Sequence, residues 1–148
     1  MDISNVEIHS MTLSDLESIQ DVLIKDFDDF WNFDIFRDEL AHTNSSYLVM
    51  CYENQVIGFA GFKKILEEAE IMNIVIAKAY RQKGLSRLLL NALLDYAHDL
   101  GCTSIYLEVN STNAVAISLY QSCGFCQTGL RKKYYHGKDD AIVMHRYL

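Results

Sequence analysis

Ile71-Met72-Asn73-Ile74-Val75-Ile76, followed after a short link by Tyr80-Arg81-Gln82-Lys83-Gly84-Leu85-Ser86-Arg87-Leu88-Leu89, reads as an apolar strand, a glycine turn and the opening of a helix. The first turn of a helix leaves backbone N–H groups without carbonyl partners and carries the positive end of the helix dipole, so it attracts anions. Gly84 has no side chain to hold a ligand off the backbone. Lys78, Arg81, Lys83 and Arg87 crowd the same turn with positive charge, in a chain whose formal net charge is -7. The turn is expected to hold a polyphosphate; a solvated basic helix start is the plainer reading of the decapeptide taken alone. It is not a Walker loop, because no glycine stands five residues before Gly84 and no Lys-Ser/Thr follows it. Nor does it carry the three glycines of the dinucleotide fingerprint.

The rest of the chain can be read outward from this junction. From Gly84 to Leu100, apolar residues recur at Leu85, Leu88, Leu89, Ala92, Leu93, Tyr96, Ala97 and Leu100, which is helical spacing, and Gly101 supplies a stop. Upstream, Ser46–Tyr52 and Val56–Lys63 flank Glu53-Asn54-Gln55 as an antiparallel hairpin, and the next strand lies within Ile65–Ile76. Downstream come a strand over Ser104–Val109 and a helix over Asn113–Ser122. Two closing strands, Phe125–Lys133 and Ala141–Tyr147, are joined through Gly137-Lys138-Asp139-Asp140. At the start, Val6–Met11 can form a strand, and Thr12-Leu13-Ser14-Asp15 offers caps for a helix with Leu16, Ile19, Val22 and Leu23 on one face. Between Asp26 and Leu40, Phe27, Phe30, Trp31, Phe33 and Phe36 alternate with acids; a second short helix and its loop are expected there. The order β-α-α-β-β-β-α-β-α-β-β predicts an α/β (α+β) fold, a mixed sheet with helices on both faces.

At 148 residues the chain is read as one domain, 1–148, long enough to bury a core. Half its residues are hydrophobic and 22% are charged, yet no apolar run reaches the ~18–20 residues of a membrane span. The N-terminus lacks the basic and apolar regions of a signal peptide, so a cytoplasmic protein is expected. The acidic balance argues against nucleic acid as a direct partner. Four cysteines in such a chain are expected to be thiols. Cys123-Gly124-Phe125-Cys126 has C-x-x-C spacing, but the pair straddles a helix end rather than opening a helix, so two packing cysteines are the stronger reading. Cys51 and Cys102 are single, and no metal site is expected.

Two residues in the C-terminal half stand out as candidates for chemistry. Glu108 interrupts the apolar strand Ile105-Tyr106-Leu107-Glu108-Val109, where partial desolvation would make it a better base near neutrality; an acid at an open strand end is the plain alternative. Tyr120 lies on the following helix, where an aromatic residue is usually core. Asn113 stands where an N-cap is needed.

Taken together, Asn73-Ile74-Val75-Ile76, Arg81-Gln82-Lys83-Gly84-Leu85-Ser86, the run from Leu107-Glu108-Val109 through Asn113-Ala114-Val115-Ala116-Ile117-Ser118-Leu119-Tyr120, and Gly124-Phe125 resemble the GNAT acetyltransferase superfamily. The resemblance covers nearly the whole chain in matching order. The Asn-Ala-x-Ala-x-x-Leu-Tyr-x-x-x-Gly-Phe run is its most specific part. Leu-Glu-Val before that run and Tyr134-Tyr135 after it look most like the bacterial ribosomal-protein-alanine N-acetyltransferases. The resemblance implies a mostly antiparallel central sheet of about seven strands and acetyl-CoA as donor. It also implies a pantetheine arm beside Ile74, Val75 and Ile76 and touching Asn113. The pyrophosphate is implied at the turn Arg81, Gln82, Lys83, Gly84, Leu85 and Ser86. Glu108 is implied as general base, Tyr120 as general acid, and Trp31, Tyr134 and Tyr135 as acceptor contacts.

Three positions depart from the family pattern. Ser86 replaces the usual Gly or Ala of the turn, and Lys78 replaces a proline before it. His136 replaces the proline that commonly follows the tyrosine pair, which bears on the acceptor. The acceptor implied is a protein N-terminal alanine on a ribosomal or other basic protein. A small-molecule amine such as a polyamine, and a non-catalytic acetyl-CoA-binding module, stay open as alternatives. The acids between Asp26 and Asp38, with Glu67, Glu68 and Glu70, could attract a cationic acceptor; solvated charge is their ordinary role.

Overall fold

The structure, a computed structural model, describes residues 1–18, 37, 38, 41 and 44–148. Its strands are β1 (Glu7–Ser10), β2 (Ser45–Tyr52), β3 (Gln55–Ile65), β4 (Glu68–Ile76), β5 (Ser104–Asn110), β6 (Cys126–Tyr135) and β7 (Asp139–Tyr147). Its helices, among the described residues, include α1 (Leu13–Ser18), α2 (Leu85–Asp99) and α3 (Ala114–Ser122). The expected continuation of α1 through Ile19, Val22 and Leu23, most of the aromatic and acidic stretch after it, and Trp31 lie outside the described residues.

The strands form one sheet in the order β1-β2-β3-β4-β5-β7-β6. Every neighbouring pair is antiparallel except β4 and β5. This is the mixed sheet that the element order predicts, with the mostly antiparallel, seven-stranded form that the family resemblance implies. Local chemistry sets its turns. Glu53 and Asn54, at φ 51° and 63°, make the two-residue left-handed turn that matches strand twist between β2 and β3. Thr12 and Asp15 form a reciprocal cap at the start of α1: the Asp15 N–H donates to Thr12 Oγ1, and the Thr12 N–H donates to Asp15 Oδ2. The strand expected within Ile65–Ile76 runs from Glu68 to Ile76, because β3 continues to Ile65 and Leu66, at φ 56°, turns the chain.

Helices cover both faces. Leu85, Leu89, Leu90, Leu93, Leu94 and Ala97 form the buried face of α2, packed with Ala60, Phe62, Ile71, Ile105 and Leu107 of the sheet. Ala116, Ile117, Leu119 and Tyr120 of α3 pack on the same core. Each fully buried leucine contributes ~1.5–3 kcal/mol. On the opposite face Leu16 of α1 packs with Tyr47, Val49 and Phe59. A side chain at Gly61 would collide with the Tyr47 ring, so this layer requires glycine there.

The site is positioned by a failure of pairing. β4 and β5 pair only at Glu68–Ser104, Ala69–Ile105 and Glu70–Tyr106, although β4 continues to Ile76 and β5 to Asn110. Beyond those three pairs the strands part. A bulge at Met72, where Ile71 faces Phe62 but Asn73 faces Gly61, sits where they diverge. From Ile71 to Ile76 the outer edge of β4 has no partner strand among the described residues.

Candidate active site

The divergence opens a cleft of about 540 Å³, within the range of small-molecule sites. Ile74, Val75 and Ile76 line it from β4, and Ala116, Leu119 and Tyr120 line it from α3. The turn before α2 contributes Arg81, Gln82, Gly84, Leu85, Ser86 and Arg87. Lys83, expected among the cofactor contacts, is not part of the lining.

The turn has the geometry an anion needs. Gly84 is the N-cap of α2 at φ 78°, and no side chain of the described residues caps the helix. The first N–H that closes a helical turn is that of Leu88, which donates to the Gly84 carbonyl at 3.3 Å. Among the described residues no carbonyl takes the N–H groups of Leu85, Ser86 and Arg87. A Cβ at Gly84 would meet nothing within 4 Å, so the backbone is open to a ligand. Arg81 Nε donates to the Ile76 carbonyl at 2.8 Å, which fixes this cation at the end of β4. Asn113 caps α3, its Oδ1 accepting from the Ala116 N–H at 3.1 Å, and also lines the cleft. A free β-strand edge that leads to an uncapped helix start suits an elongated ligand with an amide arm and a phosphate end.

Tyr120 meets the Phe125 ring edge-on at 5.8 Å between centroids. Burial, and next the neighbouring Tyr135, pushes its phenol up to about 12. Glu108 is not in the lining. Ile105, Leu107 and Val109 of β5 are buried in the core beneath α2, so strand alternation turns Glu108 and Tyr106 to the other face. There Glu108 is 20% exposed, and its Oε1 accepts from Arg131 Nη1 at 2.9 Å. The Arg131 guanidinium lies 4.8 Å from the centroid of the half-exposed Tyr134 ring, and the Tyr134 and Tyr135 rings meet edge-on at 5.1 Å. Burial raises the Tyr135 phenol, with Glu108 and then Tyr134 adding to the shift. Tyr135 is thus within electrostatic reach of both Glu108 and Tyr120. His136, at φ 55°, turns the chain after the tyrosine pair in a conformation that a proline, fixed near −65°, cannot adopt.

Sequence reasoning missed several groups. Tyr80 and Arg87 line the cleft and were visible in the turn, but Val115, Ala116 and Leu119 looked like ordinary core positions of a helix. Val115 is 84% exposed, a large apolar side chain at the cleft. Both amide atoms of Asn73 are buried without a hydrogen-bond partner among the described residues, at the point where β4 and β5 part, a deficit that a ligand or water would relieve. Arg131 carried no signal that would pair it with Glu108. All four cysteines are free. Burial raises the thiols of Cys51 and Cys102, which makes them poor nucleophiles. Cys123 closes α3, where its Sγ meets Arg87 Nη1 at 3.6 Å. Among the described residues no group of His, Cys, Asp and Glu is arranged to hold a metal, and no helix is long and apolar enough to cross a membrane.

Comparison with known proteins places this geometry in context. The acetyltransferase (GNAT) family model matches residues 16–125. The N-alpha-acetyltransferase RimI of Mycobacterium tuberculosis is 33% identical over 152 aligned positions, covering 98% of this chain and 94% of that one. An uncharacterized protein of Mycobacterium leprae is 38% identical over 126 residues, 82% of this chain; the match spans only 34% of that relative's length. The crystal structure of the ribosomal-protein-S18-alanine N-acetyltransferase from Escherichia coli superposes with a TM-score of 0.88 at 29% identity, covering 96% of this chain and 93% of that one.

Proposed function

The chain belongs to the GNAT family of acetyltransferases, and we propose that it moves the acetyl group of acetyl-CoA onto the N-terminal α-amine of a protein, an alanine on a ribosomal or other basic protein. The observation that carries this reading is the division of the site between two faces of β5. The cleft lies against α2 and α3, while Glu108, Arg131 and the half-exposed Tyr134 lie on the opposite side. A chain end arriving from solvent suits that arrangement. The similarity to an N-alpha-acetyltransferase over 98% of the chain supports the same acceptor class.

In this reading the free edge of β4 at Ile74–Ile76 pairs with the pantetheine amides, and Asn113 contacts the same arm. The N–H groups from Gln82 to Ser86 hold the pyrophosphate, with Arg81 and Arg87 adding charge. Acetyl-CoA supplies an activated thioester. The neutral amine attacks the thioester carbonyl carbon, a C–N bond forms and the C–S bond breaks. One amine proton leaves toward Glu108, directly or through water, and Tyr120 donates to the departing sulfur. A backbone N–H near Val75 stabilises the developing oxyanion. An α-amine, at pKa ~7.7–8.0 against ~10.4 for lysine, needs only modest help to lose its proton. From the neutral amine the products are the acetylated amine and CoA thiol, since the proton the nitrogen loses balances the one the sulfur gains, and no protein nucleophile is used.

The test is a steady-state comparison of a basic peptide with a free N-terminal alanine and spermidine, each with acetyl-CoA. The peptide is expected to show the higher kcat/KM. Faster turnover of spermidine would overturn the acceptor assignment and leave the family assignment standing.

A further inference from the structure

Arg131 holds Glu108 by one oxygen only. Oε1 accepts from Arg131 Nη1 at 2.9 Å, and no described residue bonds Oε2. The contact depends on an irregular β6. Register is lost between Arg131 and Tyr135, and Lys133 at φ 53° donates its N–H to Asp140 Oδ1 at 2.8 Å. In a regular strand, Tyr134, three residues after Arg131, would point to the other face of the sheet. The bulge instead brings its ring within 4.8 Å of the guanidinium. Arg131 is therefore held between a carboxylate and an aromatic face, with half its side chain in solvent.

We propose that Arg131 is a positioning residue that neutralises Glu108, so that the site receives the acceptor amine in its neutral, nucleophilic form. The proposal rests on the reading of Glu108 as the group that meets the amine. A lone, partly buried carboxylate would pair with an ammonium and stabilise it, and an ammonium has no lone pair to attack with. With a guanidinium already on Oε1 the pair is neutral overall, and a second cation loses most of its attraction to the carboxylate. Oε2 can still accept a hydrogen bond from a neutral amine or from water. The other charged and titratable groups make this counterweight necessary. Glu68 and Glu70 of β4 face Tyr106 of β5, whose hydroxyl donates to Glu70 Oε2. Asp139 and Asp140 begin β7, bonded to Asn110 and to the Lys133 N–H. His145 of β7 lies opposite Tyr106; Tyr135 of β6 and Tyr120 of α3 complete the set. The carboxylates all favour the ammonium form. Among the described residues, Arg131 is the cation that an ion pair joins to Glu108.

The test compares wild type with Arg131→Gln and Arg131→Lys, using the alanine peptide and kcat measured across pH. Loss of the guanidinium raises the pH at which the bound amine becomes neutral. For a half-exposed charge the acidic limb of kcat should move up by about half to one pH unit, a three- to tenfold loss on that limb that vanishes at high pH. Acceptor KM should stay equal or fall, because the ammonium is held better. Arg131→Lys keeps the charge and should keep the wild-type profile. Unchanged acetyl-CoA binding by calorimetry serves as the control for folding. A limb that does not move in Arg131→Gln, or a loss equal at every pH and shared by Arg131→Lys, would overturn the proposal. Glu108→Gln separates the two claims. If it turns over like wild type, the reading of Glu108 fails. If it is slow while the Arg131→Gln profile is unmoved, only the role of Arg131 fails.

Discussion

Tyr120→Phe removes one oxygen from the cleft, and its effect can be worked out in advance. Burial of the ring, with Tyr135 nearby, pushes the phenol up to about 12. A thiol titrates near ~8.5, so full transfer of the phenolic proton to a departing thiolate runs uphill by ~5 kcal/mol. Tyr120 is therefore expected to donate a strong hydrogen bond to the developing thiolate rather than surrender its proton. A hydrogen bond to a charged group contributes ~1.5–3 kcal/mol, which corresponds to a loss in kcat of about ten- to a hundredfold. Acetyl-CoA KM should change little, because the ring and its contact with Phe125 remain. The sign of the pH dependence follows from the same shift. The phenol acts in its protonated form, and raising its pKa keeps it protonated, so wild-type kcat should show no falling limb from Tyr120 up to pH 10. The assay is thiol release at saturating acetyl-CoA across pH, with a melting curve as the folding control. A wild-type limb that falls near pH 8–9 and is absent in Tyr120→Phe would refute the reasoning, as would unchanged kcat in the variant.

Three further outcomes are expected. Gly84→Ala places a residue with a side chain at φ 78° where nothing crowds the new methyl; the backbone strain costs ~1 kcal/mol, and acetyl-CoA KM should rise, so an unchanged KM would argue against phosphate at this turn. Glu108→Gln should lower kcat by about 10²-fold, with acetyl-CoA affinity measured by calorimetry near wild type. Acceptor KM for a basic peptide should rise with salt, because Glu68, Glu70 and a net charge of -7 favour a cationic partner through screened forces; indifference to ionic strength would remove electrostatics from acceptor selection.

Much of this was legible in the sequence, for identifiable reasons. The spacing of Leu85, Leu89 and Leu93 marked α2, and Gly84 marked its open start, because both depend on residues a few positions apart. Asn113 was read as a cap from local chemistry and does cap α3. What local pattern could not show was the parting of β4 from β5. That depends on an inserted residue at Met72 and on pairing that stops after Glu70–Tyr106. The partner of Glu108 was hidden for the same kind of reason. Arg131 is 23 residues away, two strands across the sheet, and meets Glu108 beside a bulge set by Lys133 and Asp140. The buried, unpaired amide of Asn73 is likewise a property of packing and not of the strand pattern in which it was read. Trp31 stays an expectation from sequence, since it lies outside the described residues.

The most direct test of the central claim is to map the acetylated atom on one molecule that offers both kinds of amine. A basic peptide with a free N-terminal alanine and an internal lysine would be incubated with acetyl-CoA and the protein, and the product fragmented in a tandem mass spectrometer. The account predicts a single acetyl group on the alanine nitrogen. Acetylation of the lysine, or of neither amine while acetyl-CoA remains bound, would contradict it.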